Sequence, residues 1–117
     1  MTDSITAQEI FNTVWDHFVV KKEPRSDGSS GCFYRHPSTG AKCAVGVLVT
    51  DDECDGWDDL GYVTEVAAYG MLPVRLLPHI ELMRDLQRAH DDGFGFDRDR
   101  ARSLRSVASH HGLVVPS

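Results

Sequence analysis

Apolar residues recur at Ile10, Phe11, Val14, Trp15, Phe18 and Val19. These positions, i, i+1, i+4, i+5, i+8 and i+9, form one broad helical face. Thr6-Ala7-Gln8-Glu9 just before them is a capping-box sequence, in which Thr6 accepts from the Glu9 amide and Glu9 reaches back. Lys21 and Lys22 suit the negative end of the helix dipole, and Pro24 ends the pattern. Residues 23–31 have no periodicity and are rich in turn formers, so a loop follows.

The pattern then changes. Cys32-Phe33-Tyr34-Arg35 is an aromatic-rich run of strand type, and His36-Pro37-Ser38-Thr39-Gly40 reads as a turn. Ala41 to Thr50 carries Val45, Val47 and Val49 with Leu48 between them. β-Branched spacing of this kind predicts a buried strand and therefore a hairpin. The same short run also fits a buried helical turn, with Gly46 giving close backbone approach. Asp51 to Asp59 is an acidic loop.

Helical spacing returns at Leu60, Val63, Val66 and Ala67, with Gly70 as the stop. Met71 to Pro78 is an apolar connector bracketed by prolines, expected to be extended or one short turn. From His79 to His90, Ile80, Met83, Leu86 and His90 share a stripe that Leu82 broadens, while Glu81, Asp85, Arg84 and Arg88 can pair on the outer face. Asp92-Gly93-Phe94-Gly95-Phe96 breaks that helix. A last helix opens with Asp97 as N-cap and closes before Gly112, with Ala101, Leu104, Val107 and Ala108 inward. Leu113-Val114-Val115 forms an apolar tail. The expected fold class is α+β: a small, mainly helical single domain of about four helices around a short β-hairpin.

Composition narrows the function classes. The 117 residues suffice for one core and one domain. No apolar run approaches the ~20 residues that span a bilayer, and the polar start is not that of a signal peptide. Three cysteines without paired spacing suit a reducing cytoplasm. A formal charge of −6 argues against general nucleic-acid binding, which needs a basic surface.

Two phrases carry a resemblance. Lys42-Cys43-Ala44-Val45-Gly46-Val47-Leu48, followed by Asp51 and Asp52, and Leu86-Gln87-Arg88-Ala89-His90-Asp91 resemble phrases of small uncharacterised phage and actinobacterial proteins. The resemblance implies a small accessory protein, phage-encoded, and supplies no activity.

Chemistry has few candidates. Asp51-x-Glu53-x-Asp55-Gly56-x-x-Asp59 overlays the first part of an EF-hand loop. Tyr62 then stands where the bidentate glutamate is required, and Asp58 where an apolar residue is usual, so a solvated acidic loop is expected. Trp57 within it reads as a core anchor. Cys32, Cys43 and Cys54 lack C-x-x-C spacing, so no zinc site is indicated even with His36 nearby, and His110 and His111 read as surface and packing residues. No metal and no cofactor are expected. Cys43, His90 and Asp91 supply a thiol, a base and an orienting carboxylate, although a histidine on an apolar face is more often packed than catalytic. Arg98, Arg102 and Arg105 form a basic stripe, whose guanidinium forks suit a carboxylate or phosphate.

The leading expectation is a non-enzymatic protein that binds another protein. Its contacts would be the arginine stripe or the acidic residues Asp51, Asp52, Asp55 and Asp58. The alternatives are a Cys43–His90 enzyme and an acidic nucleic-acid mimic.

Overall fold

A computed structural model describes residues 5–23, 27–28, 31–32, 34, 40–93 and 97–116, with backbone alone for 27–28, 31–32, 91–93 and 97–99. Helix α1 (Ala7–Trp15) starts from the capping box: Thr6 Oγ1 accepts the Glu9 amide at 3.0 Å, and Glu9 Oε1 accepts the Thr6 amide at 2.9 Å. Its apolar face buries Ile10, Phe11, Val14 and Trp15. The chain continues through a wide turn over Asp16–Val20, where the Lys21 amide reaches Asp16 O at 2.9 Å. It stops at Lys22, whose φ of 55° lets the Glu23 amide return to His17 O. Pro24 lies outside the described residues. Arg100 closes this end from afar, donating to Phe18 O and to Glu23 O beyond the helix end.

The expected hairpin does not form, and the α+β class is corrected to a small helical fold. Ala41–Thr50 is no strand: the Val47 amide donates to Cys43 O at 3.1 Å, the Leu48 amide donates to Val45 O at 2.9 Å, and Gly46–Leu48 is 3₁₀. Among the described residues, the one ladder is Asp27–Gly28 against Gly31–Cys32, two residues a side, and Lys42 makes an isolated bridge. The reason is packing. A Cβ on Gly46 would fall on the Tyr34 carbonyl oxygen, so this turn presses its backbone onto Tyr34. Ala44, Val45 and Gly46 are all buried in succession, which an alternating strand with one wet face does not do. Cys43 opens the turn as its cap, Sγ accepting the Gly46 amide at 3.3 Å. Phe33 and residues 35–39, with the expected turn, lie outside the described residues.

Helix α2 (Val63–Ala68) buries Val63 and Val66. Its first amide is satisfied at a distance: Val63 N–H donates to Gln87 Oε1 at 3.0 Å. A 3₁₀ segment, Val74–His79, then leads into α3 (Ile80–Gly93), which ends inside the expected break, Asp92 to Phe96. Phe94 and Phe96 lie outside the described residues. In α4 (Asp97–His111), Asp97 is the first residue of the helix itself. α4 ends at Gly112, φ 66°, where the Leu113 amide reaches Ala108 O at 2.8 Å and the Gly112 amide reaches Ser109 O. The tail is held by α1, since Gln8 both donates to Val114 O and accepts the Val114 amide.

α3 packs along α4, and α1 meets both α4 and the Gly46 turn. One core cluster runs from Ile10 to Ala108. Among the described residues no helix is long and apolar enough to cross a membrane.

Candidate functional site

The acidic segment is not a loose loop. Thr50 and Glu53 form a second capping box: the Glu53 amide donates to Thr50 Oγ1 at 3.2 Å, and Glu53 Oε1 accepts the Thr50 amide at 2.9 Å. One helical turn follows, with Cys54 N–H on Thr50 O, and then a 3₁₀ turn at Trp57–Asp59. Arg75 grips the same carboxylate with both arms, at 2.7 and 2.8 Å, and also reaches Leu48 O at 3.3 Å. The Arg75 guanidinium holds the Glu53 carboxyl down at about 2, below its ordinary 4.5. This planar fork pins the acidic turns to the Val74–His79 segment.

The pairing has a pH signature. A carboxyl depressed in the folded state contributes its stability in full above its ordinary value, and loses it as pH falls towards about 2. Glu53→Gln should therefore be less stable than the parent at neutral pH. The gap should narrow between about pH 4.5 and pH 2.5. Urea midpoints across that range check this, and a gap of constant size would refute it.

Trp57 is fully buried, its ring edge-on to Tyr34 at 5.3 Å. Tyr34 is tied three ways: its amide donates to Asp58 Oδ1 at 2.8 Å, its hydroxyl to Gly61 O at 2.7 Å, and its carbonyl accepts the Cys43 amide at 3.3 Å. Burial pushes the Tyr34 phenol above its ordinary range. Asp51, Asp52, Asp55 and Asp59 are exposed, as is Asp58 around its bond to Tyr34. The five exposed carboxylates thus sit on a compact knot of turns that Arg75 pins through Glu53.

Cys43 and His90, the pair of the enzyme alternative, both lie in the interior. Cys43 is buried with its sulfur turned to the Gly46 amide, and His90 is buried against Phe18, ring centroids 5.4 Å apart. Burial of both sets them apart from the accessible thiolate and base that a nucleophilic mechanism uses. The Asp91 side chain lies outside the described residues. Cys54 is likewise a buried thiol, its Sγ 3.7 Å from Asp51 O.

The arginine stripe is only partly described. Arg102 and Arg105 are exposed, with the Arg105 guanidinium 5.6 Å from the Trp15 ring centroid, and the Arg98 side chain lies outside the described residues.

Compared with protein-family models, curated proteins and solved structures, the chain matches none. Function must be read from the chain's own surface.

Two surface features escape the sequence patterns. First, Tyr62, Tyr69, Met71, Val74 and Leu77 are all exposed, Tyr69 by 68% and Val74 by 81%. Four of them, Tyr69, Met71, Val74 and Leu77, lie within six positions of Arg75, the residue that clamps the acidic turns. Second, α3 and α4 enclose a groove of about 590 Å³ lined by Arg84, Asp85, Arg88, Ser103, Ser106 and His110. At its edge His111 Nε2 lies 2.7 Å from Asp85 Oδ2. The Thr50–Glu53 box had a legible signal, the Thr-x-x-Glu spacing. Arg75 and Arg100 had none, because their partners are carbonyls and a carboxylate far along the chain.

Proposed function

We infer that the chain is a non-enzymatic accessory protein that acts by binding another protein. The observation that carries this reading is the run of exposed apolar residues Tyr69, Met71, Val74 and Leu77 around Arg75 in the sequence, the arginine that is clamped to the acidic turns through Glu53. Tyrosine and methionine are favoured at interface cores, and a charged rim supplies orientation. The Glu53–Arg75 fork supports the reading by holding the acidic rim and the apolar segment as one unit. Asp51, Asp52 and Asp55 remain outward, so the fitting partner presents apolar side chains bordered by lysine or arginine. Burial of Cys43 and His90 favours binding over the enzyme alternative. The phage-like phrases fall partly in this region, at Lys42–Leu48 with Asp51 and Asp52, and are consistent with an accessory role.

The test is a paired capture from lysate of the source cells. Tyr69→Ser with Val74→Ser removes the apolar centre, and Asp51→Asn with Asp52→Asn and Asp55→Asn removes the rim. A protein retained by the parent should be lost from the first variant. It should be retained by the second with weakened salt dependence, while melting temperatures stay within a few degrees of the parent. Equal retention by all three proteins, or no retained protein at all, would contradict the reading.

A further inference from the structure

The end of α4 and the middle of α3 bring together a set of donors that neither helix holds alone. Asp85, His110 and His111 each offer one ligand atom, and these atoms all lie within 4.8 Å of one another. Among the described residues this is the one such group of three histidine, cysteine or acidic side chains. The geometry points to a binding site for a divalent cation of the zinc class, formed by one carboxylate oxygen and two imidazole nitrogens.

The chemistry of the set favours zinc over the hard cations. Calcium and magnesium take oxygen donors, whereas two imidazoles and a carboxylate match the borderline preference of Zn²⁺. Bonds of about 2.0–2.2 Å place tetrahedral donors roughly 3.3 Å apart. The 2.7 Å contact between His111 Nε2 and Asp85 Oδ2 would need to open by only a fraction of an ångström to admit the ion. His110 supplies the third donor; it is exposed, so its ring can adjust without disturbing the core.

The surroundings hold the donors in place. The second oxygen of Asp85 faces Arg84 Nε at 3.7 Å, an outer partner that steadies the carboxylate and leaves Oδ2 for the ion. Both histidines sit on the last turn of α4, which the Gly112 motif terminates and the Gln8–Val114 bonds anchor. Three protein donors leave a fourth position. Asp85 and His110 line the α3–α4 groove together with Arg84, Arg88 and Ser106, and water or an anionic group entering from that groove can complete the tetrahedron. The ion would link α3 to the end of α4. His111 shares a cavity with Leu77, so the site borders the apolar segment proposed above for partner binding, but metal uptake by the isolated chain does not depend on that reading.

The experiment uses the untagged full chain after treatment with a chelator, with Zn²⁺ titrated against a chromophoric competitor. One equivalent should bind at micromolar concentration or tighter, and the melting temperature should rise with the metal. Excess Mg²⁺ should leave both unchanged. His110→Gln, at an exposed position, should fold as the parent does and bind at least about tenfold more weakly, the smaller end of what even an outer-sphere partner is worth. Asp85→Asn should act in the same direction. Co²⁺ in place of zinc should give visible bands without a thiolate-to-metal charge-transfer band. Binding unchanged in His110→Gln, a cysteine charge-transfer band, or no stoichiometric uptake would each overturn the site.

Discussion

Alanine in place of Gly46 should destabilise the protein by about 3 kcal/mol, the upper end of the usual cost of forcing extra volume into a packed interior. The added methyl would meet the backbone of Tyr34, its carbonyl carbon at 3.1 Å and its carbonyl oxygen closer still. A flexible side chain could swing away. This carbonyl cannot, because Tyr34 is held through its amide by Asp58, through its hydroxyl by Gly61 O and through its carbonyl by the Cys43 amide. The substitution also separates the two conformations that the Ala41–Thr50 pattern permits. In an extended strand the exchange of glycine for alanine would be neutral or mildly stabilising, since strand glycine carries an entropic cost of about 0.5–1 kcal/mol. In the observed turn the sign is reversed. Urea denaturation of the parent and the variant reads it directly, and a variant as stable as the parent would restore the hairpin.

Trp57→Ala should have the largest effect of any single truncation, about 3–5 kcal/mol. That is a large fraction of the roughly 5–15 kcal/mol by which such domains are stable. Trp57 is fully buried, and it is the floor on which Tyr34 and the acidic turns rest. Its indole Nε1 has no hydrogen-bond partner among the described residues. Trp57→Phe should therefore retain much more stability than Trp57→Ala, because phenylalanine keeps most of the apolar contact and removes a buried, unsatisfied donor. Denaturant midpoints for the three proteins should fall in the order parent, phenylalanine, alanine, or with phenylalanine level with the parent. Coincident melts for parent and Trp57→Ala would mean that the acidic turns are not seated on the core.

Sites were less legible than elements. The sequence brought forward Cys43 and His90 because their types suit nucleophilic catalysis. Their burial at 2% and 0% is a property of the packed chain that residue types do not carry. It brought forward the carboxylates of Asp51–Asp59 but not the arginine that organises them. His110 and His111 were visible as a pair, whereas the third donor, Asp85, stands 26 residues earlier on another helix.

The chain by itself determined the amphipathic face of α1, the stripes of α3 and α4, the Thr6–Glu9 cap, the stop at Gly112 and the inward place of Trp57. Each follows from neighbours within about one or two helical turns, where spacing, capping and left-handed backbone act locally. The tertiary structure alone decided that Ala41–Thr50 turns instead of extending, because the choice rests on how closely Gly46 meets Tyr34. It alone decided which of the acidic residues is neutralised, since Arg75 reaches Glu53 across 22 positions. A short apolar run satisfies a strand or a turn equally well until another part of the chain supplies the surface against which it packs.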